Sequence, residues 1–310
     1  MKIKSNFPVC SKLLPENFDY LSFFFIIFAL NFIELLLKRM VAKKILFITT
    51  EISPYLADTQ MSLIARNLPQ GIHERGKEIR TFMPKFGSIN ERRNQLHEVI
   101  RLSGMNLIID ETDHPLIIKV ASIQAARMQI YFIDNEDFFQ RKYLLQDGSG
   151  VEFEDNDERS IFYVRGVMET VKKLRWVPDL IHCHGWMTAL APLYIKKHYK
   201  GDPCFKHAKV VYSLYNDEFM KPLRDNFAKK VKIEGVTQND IKHLKEMPDF
   251  INLSKLAIDF SDGVIEGMPG IRADLIDYAK AKEGLHYLPY QSDENYIDEF
   301  NRFYDRILNK

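Results

Sequence analysis

Residues 43–56 read KKILFITTEISPYL, and this stretch decides the fold. Positions 43–50 form a run of Ile, Leu, Phe and Thr without polar alternation, the pattern of a strand covered on both faces. Helical spacing follows over 62–76 (Leu63, Ile64, Leu68, Ile72), closing on Gly76 as a C-cap. A second strand is predicted at 78–84. A strand, a helix and a strand in that order predict two parallel strands joined by a right-handed crossover.

Downstream the period changes. Between 96 and 134, the runs HEVIRL, MNLIID, PLIIKVASI and MQIYFID are short and β-like, separated by Ser-Gly, Asp-His-Pro and Ala-Ala-Arg, which predicts hairpins. Helices are then expected at 155–174, 187–199, 244–260 and 271–282, with strands at 179–184, 209–214 and 263–266. An amphipathic helix at 296–308 follows Ser-Asp-Glu-Asn and should pack back on the preceding domain. The fold class expected is α/β: a single Rossmann-like, doubly wound, mainly parallel sheet with a β-hairpin insertion.

The 310 residues carry 43 Lys plus Arg against 42 Asp plus Glu, a net charge of +1. Such a balance argues against a nucleic-acid partner. The pairs Arg92-Arg93, Lys172-Lys173, Lys196-Lys197 and Lys229-Lys230 read as solvated helix faces. Three cysteines are too few for a disulfide framework and indicate a reducing compartment, here the cytoplasm. Residues 1–39 stand apart as an apolar leader rich in Phe. Within it, 21–37 (LSFFFIIFALNFIELLL) is short for a bilayer span and carries Glu34, so translation from an upstream start is favoured over a membrane anchor. Residues 40–310 are then one domain.

Ligands of open parallel sheets bind beyond the carboxyl ends of the strands, which directs attention to 49–57, 134–141 and 182–186. The last lies in PDLIHCHGW (178–186), two histidines and a tryptophan at the sheet mouth. Sugar or nucleotide recognition and plain packing both fit these residues. A metal site does not, because on a strand His182 and His184 face one side and Cys183 the other. No cofactor motif occurs; without Gly-x-Gly-x-x-Gly after a strand, an unrelated dinucleotide-binding enzyme is disfavoured.

Five ordered blocks, KKILFITTEISPYL, LPQGIHERGKEIRTFMPKF, IYFIDN with FFQR, EDNDERSIFYVRGVMET and PDLIHCHGWMTALAPLYIK, resemble the N-terminal half of bacterial glycogen and starch synthases. The resemblance runs from about residue 43 to about residue 276. It implies the N-terminal half of a GT-B glycosyltransferase, a retaining enzyme that moves glucose from ADP-glucose to the end of an α-1,4-glucan. The family's His-x-His-Asp-Trp element is matched by His182, His184 and Trp186, and its Thr-Asp-Asn element by Asp155 and Asn156. With Tyr131, these form the candidate sugar and acceptor site.

Three departures qualify the resemblance. Gly185 replaces the aspartate before the tryptophan and so removes a carboxylate from the site. After strand 1 the family has Lys-Thr-Gly-Gly-Leu, whose glycines let backbone amides approach the donor phosphates. Here the aligned residues are Ala57, Asp58, Thr59, Gln60 and Met61, a degenerate donor loop. The 34 residues after Ile276 are also too few for a second GT-B domain. The resemblance therefore implies a synthase-like glucosyltransferase inactive alone, or completed by a protein partner that supplies or replaces the second domain. The alternative is a non-catalytic glucan-binding or regulatory module, and ADP-glucose binding is expected to be weak in either case.

Overall fold

Alternating strands and helices assemble, in the computed structural model, into one sheet of ten strands; residues 42–292 and 294–309 are described. The leader and its candidate span at 21–37 lie outside the described residues. Among the described residues, no helix is long and apolar enough to cross a membrane.

The strands are β1 (Lys44–Ile48), β2 (Glu78–Pro84), β3 (His97–Glu98), β4 (Met105–Ile109), β5 (Thr112–Ile123), β6 (Met128–Asp134), β7 (Leu180–His184), β8 (Lys209–Leu214), β9 (Gly263–Glu266) and β10 (His286–Leu288). Their order is β10-β9-β8-β7-β1-β2-β6-β5-β3, with β4 hydrogen-bonded to β5. Every pairing from β10 through to β6 is parallel, whereas β5 runs antiparallel to β6, β3 and β4. This is the doubly wound sheet with a hairpin insertion that the sequence predicts.

The main helices are α1 (Gln60–Glu74), α2 (Asn156–Lys173), α3 (Leu190–Lys196), α4 (Phe250–Asp259), α5 (Ala273–Ala281) and α6 (Tyr296–Leu308). Alternate residues of β1 enter different cores, as the period of a strand requires. Leu46 and Ile48 join the large core with α2, α3 and α4, while Ile45 and Phe47 face α1 and α6. Both faces are covered, so the strand could tolerate no polar alternation.

α6 docks as expected. Phe300, Phe303, Tyr304 and Ile307, at helical spacing, are buried against the sheet, each apolar side chain worth about 1.5–3 kcal/mol. Close approach to α1 is possible because Gly71 has no side chain; a Cβ there would lie 2.6 Å from Ile297 Cγ2. On the other face, the buried Tyr163 hydroxyl of α2 bonds the carbonyls of Thr49 (2.6 Å) and Phe82 (2.9 Å), fixing the carboxyl ends of β1 and β2.

Several local expectations change. The helix expected over 244–260 breaks into Lys242–Glu246 and α4, because Pro248 cannot continue the hydrogen-bond ladder and Asp249 caps the second piece through Asn252 N–H (2.8 Å). HEVIRL contributes only the two residues of β3. The three-residue edge strand β10 is too short to leave a periodic signal. Lys230 is not solvated: it is buried, with Nζ 3.1 Å from Asp157 and 2.5 Å from Glu158.

Candidate functional site

The first strand delivers the chain to the N-terminus of α1, where the resemblance places the donor loop. Thr59 is the N-cap: its Oγ1 accepts from Ser62 N–H (3.0 Å), and Ser62 Oγ accepts from Thr59 N–H (2.8 Å), a reciprocal capping box. The Thr59 hydroxyl donates to Glu51 (2.6 Å), Ser62 Oγ donates to the Ala57 carbonyl (3.0 Å), and Gln60 Nε2 donates to Tyr290 Oη (3.1 Å). A helix N-terminus attracts anions through free amides and the dipole. Here side chains occupy that position, Glu51 stands against the cap, and Asp58 is exposed beside it.

The end of β7 is built differently. His182 and His184 lie on one face with ring centroids 3.9 Å apart, and Cys183 enters the opposite core. His182 is saturated: Nδ1 pairs with Tyr304 Oη of α6 and Nε2 with Ser213 Oγ, both at 2.7 Å. Burial pushes its imidazole well below the usual range, so it stays neutral and structural. His184 Nδ1 meets Tyr215 Oη at 3.0 Å, Nε2 is buried without a partner, and burial lowers its pKa to about 3. Trp186 is packed edge-on against Phe219 at 4.9 Å and is 2% exposed, which leaves little ring for a ligand.

Gly185 has φ +73° and ψ 174°, a backbone region essentially reserved for glycine. A Cβ there would sit 2.3 Å from Asp217 Oδ2 and 2.6 Å from Met61 Cε. Asp217, from the loop after β8, stands where a side chain of residue 185 would begin. Its Oδ2 accepts the Trp186 N–H (2.9 Å), while Oδ1 is buried without a partner. Desolvation pushes the Asp217 carboxyl up to about 7, with the nearby Glu51 charge adding to the rise.

The remaining candidates do not converge on this point. Asp155 is engaged by both Arg141 guanidinium nitrogens (2.6 and 2.5 Å). Asn156 is buried, donating to the Leu145 carbonyl (2.8 Å) and accepting from Arg159 (2.6 Å), so it fastens the preceding loop to α2. Tyr131 stacks on Phe82 at 4.9 Å and bonds Arg80, which lies over Trp176 near the amino ends of the strands. Among the described residues, no group of three or more His, Cys, Asp or Glu could hold a metal ion. Sequence reasoning missed Asp217, Tyr215 and Tyr304. The first two were within reach of the strand-end rule, since both directly follow β8; Tyr304 carried no such signal.

With the geometry in place, comparison with known proteins locates the chain. The starch synthase catalytic domain family matches residues 44–302. The glycogen synthase of Chlorobium phaeobacteroides is 37% identical over 174 residues, covering 56% of this chain and 36% of that protein. That of Chlorobaculum parvum is 31% identical over 243 residues, 78% of this chain and 49% of that protein. The chain thus spans about a third to a half of the length of the curated relatives it matches. In fold, it resembles the catalytic domain of starch synthase IV from Arabidopsis thaliana bound to ADP and acarbose. The TM-score is 0.63 at 17% identity, over 80% of this chain and 52% of that one. Taken with the strand order and the ordered sequence blocks, these matches show that the chain belongs to the glycogen/starch synthase family.

Proposed function

We propose that residues 40–310 form a synthase-type glucosyltransferase domain, cytoplasmic, whose ADP-glucose site is closed, so that it does not transfer glucose to an α-1,4-glucan by itself. The observation that carries this reading is the capped N-terminus of α1: Thr59 and Ser62 satisfy each other, and Glu51 and Asp58 flank the cap. A pyrophosphate needs amides that face it and surroundings that are neutral or basic. A carboxylate held about 5 Å from a phosphate charge costs up to about 3 kcal/mol at an effective dielectric near 20, or roughly two decades in affinity.

Activity in this reading requires a protein partner that supplies the donor-binding groups. A non-catalytic glucan-binding or regulatory role is the alternative. Titration with ADP-glucose by calorimetry, together with labelled-glucose incorporation into glycogen, tests the proposal. Millimolar or weaker donor binding and no incorporation are expected. Tight donor binding with incorporation by the chain alone would overturn it.

A further inference from the structure

A cavity of about 350 Å³ lies between the segment that leads into α2 and the segment that follows β8. Its size falls in the range of small-ligand sites. Two sets of polar contacts pin its walls together. The Glu152 carboxylate accepts the N–H groups of Met220 (2.8 Å) and Lys221 (3.1 Å). Arg224 Nε donates to Asp157 Oδ2 (3.0 Å), and its Nη2 lies 2.8 Å from Glu158. With the backbone held at these points, the walls cannot collapse onto the space between them.

The two walls differ in charge. Val151 and Phe153 line one side, Phe219 and Leu223 the other, so the interior is apolar. The first wall adds the carboxylates of Glu152 and Glu154, the second the cations of Lys221 and Arg224. Two of these four are spent within the protein: Glu152 on the backbone amides, Arg224 on Asp157 and Glu158. Glu154 and Lys221 are not. Both are exposed, and among the described residues neither side chain has an ion-pair partner. The cavity therefore offers an apolar interior, one open carboxylate and one open ammonium, each on its own wall. A ligand that satisfies all three carries a cation for Glu154, an anion for Lys221 and an apolar body. A ligand with one charge leaves either group unpaired.

We infer that this cavity binds a free α-amino acid with a large apolar side chain, its ammonium to Glu154 and its carboxylate to Lys221. The side chain fills the space between Phe153 and Leu223. The inference is independent of glucosyl transfer, because neither charged group belongs to the capped loop or to the end of β7.

Calorimetric titration of the full chain with L-phenylalanine tests this, beside phenethylamine, which lacks the carboxylate, and 3-phenylpropionate, which lacks the ammonium. L-phenylalanine should bind about 10-fold more tightly than either, the effect of one charged hydrogen bond. Lys221→Gln should weaken L-phenylalanine by a similar factor and leave phenethylamine unaffected. Glu154→Gln should weaken L-phenylalanine and leave 3-phenylpropionate unaffected. Both variants change exposed side chains, so the thermal midpoint without ligand should not move. Failure of L-phenylalanine to bind the unmodified chain overturns the inference. So does equal affinity for the three ligands, tighter binding of either singly charged one, or undiminished L-phenylalanine affinity in either variant.

Discussion

Replacing Asp217 by Asn isolates the carboxyl that the loop after β8 holds against the end of β7. Asparagine keeps an oxygen to accept the Trp186 N–H, and it carries no charge. In the folded chain Asp217 titrates near 7 against an ordinary value of 3.8. The folded state therefore keeps a proton that the unfolded chain releases, and stability falls as pH rises between those values. At about 1.36 kcal/mol per unit, a rise of about three units corresponds to roughly 4 kcal/mol at full effect. The variant lacks this slope. It should match the parent near pH 4, gain on it by about 1 kcal/mol per pH unit, and level off about 3–4 kcal/mol more stable above pH 7–8. Urea unfolding of both proteins from about pH 5 to pH 8 measures the difference, and contributions from other titrating groups cancel. A stability difference independent of pH, or a variant that loses stability on the alkaline side, would refute the reasoning.

Three further outcomes follow from the same geometry. Thr59→Ala removes the cap of α1 and should cost about 1 kcal/mol in urea unfolding, without creating ADP-glucose binding in a calorimetric titration, because Asp58 and Glu51 remain. Tyr304→Phe leaves His182 Nδ1 buried and unpaired and should cost about 1–3 kcal/mol by thermal unfolding; no loss would show that the hydrogen bond of α6 to β7 is dispensable. Gly185→Ala forces a side chain into a glycine-only backbone and against Asp217, at a cost of at least about 2 kcal/mol. Combining it with Asp217→Gly should recover part of that loss, which a double-mutant cycle would read.

The layout of the fold was legible because it rests on local patterns. The unbroken apolar run at 43–50, the amphipathic spacing of α1 and the 13 residues of α6 are visible without tertiary contacts. β10 was not, since three residues on a sheet edge carry no period. At the site, the sequence placed His182 and His184 on one strand face, and their ring centroids lie 3.9 Å apart. It could not weigh them. Whether Thr59 is an exposed side chain or a helix cap depends on Ser62 and Glu51 meeting it in space.

By itself, then, the sequence determined the doubly wound sheet and the family, because strand and helix periods and ordered motifs are properties of neighbouring residues. Only the tertiary structure decided that His182 is a packing residue satisfied by Tyr304 and Ser213, that Asp155 is spent on Arg141, and that Asp217 stands where residue 185 lacks a side chain. Each of these depends on partners far apart in the chain. Burial and pairing of polar groups, which set their protonation and their freedom to bind, arise from such contacts and leave no periodic trace in the sequence.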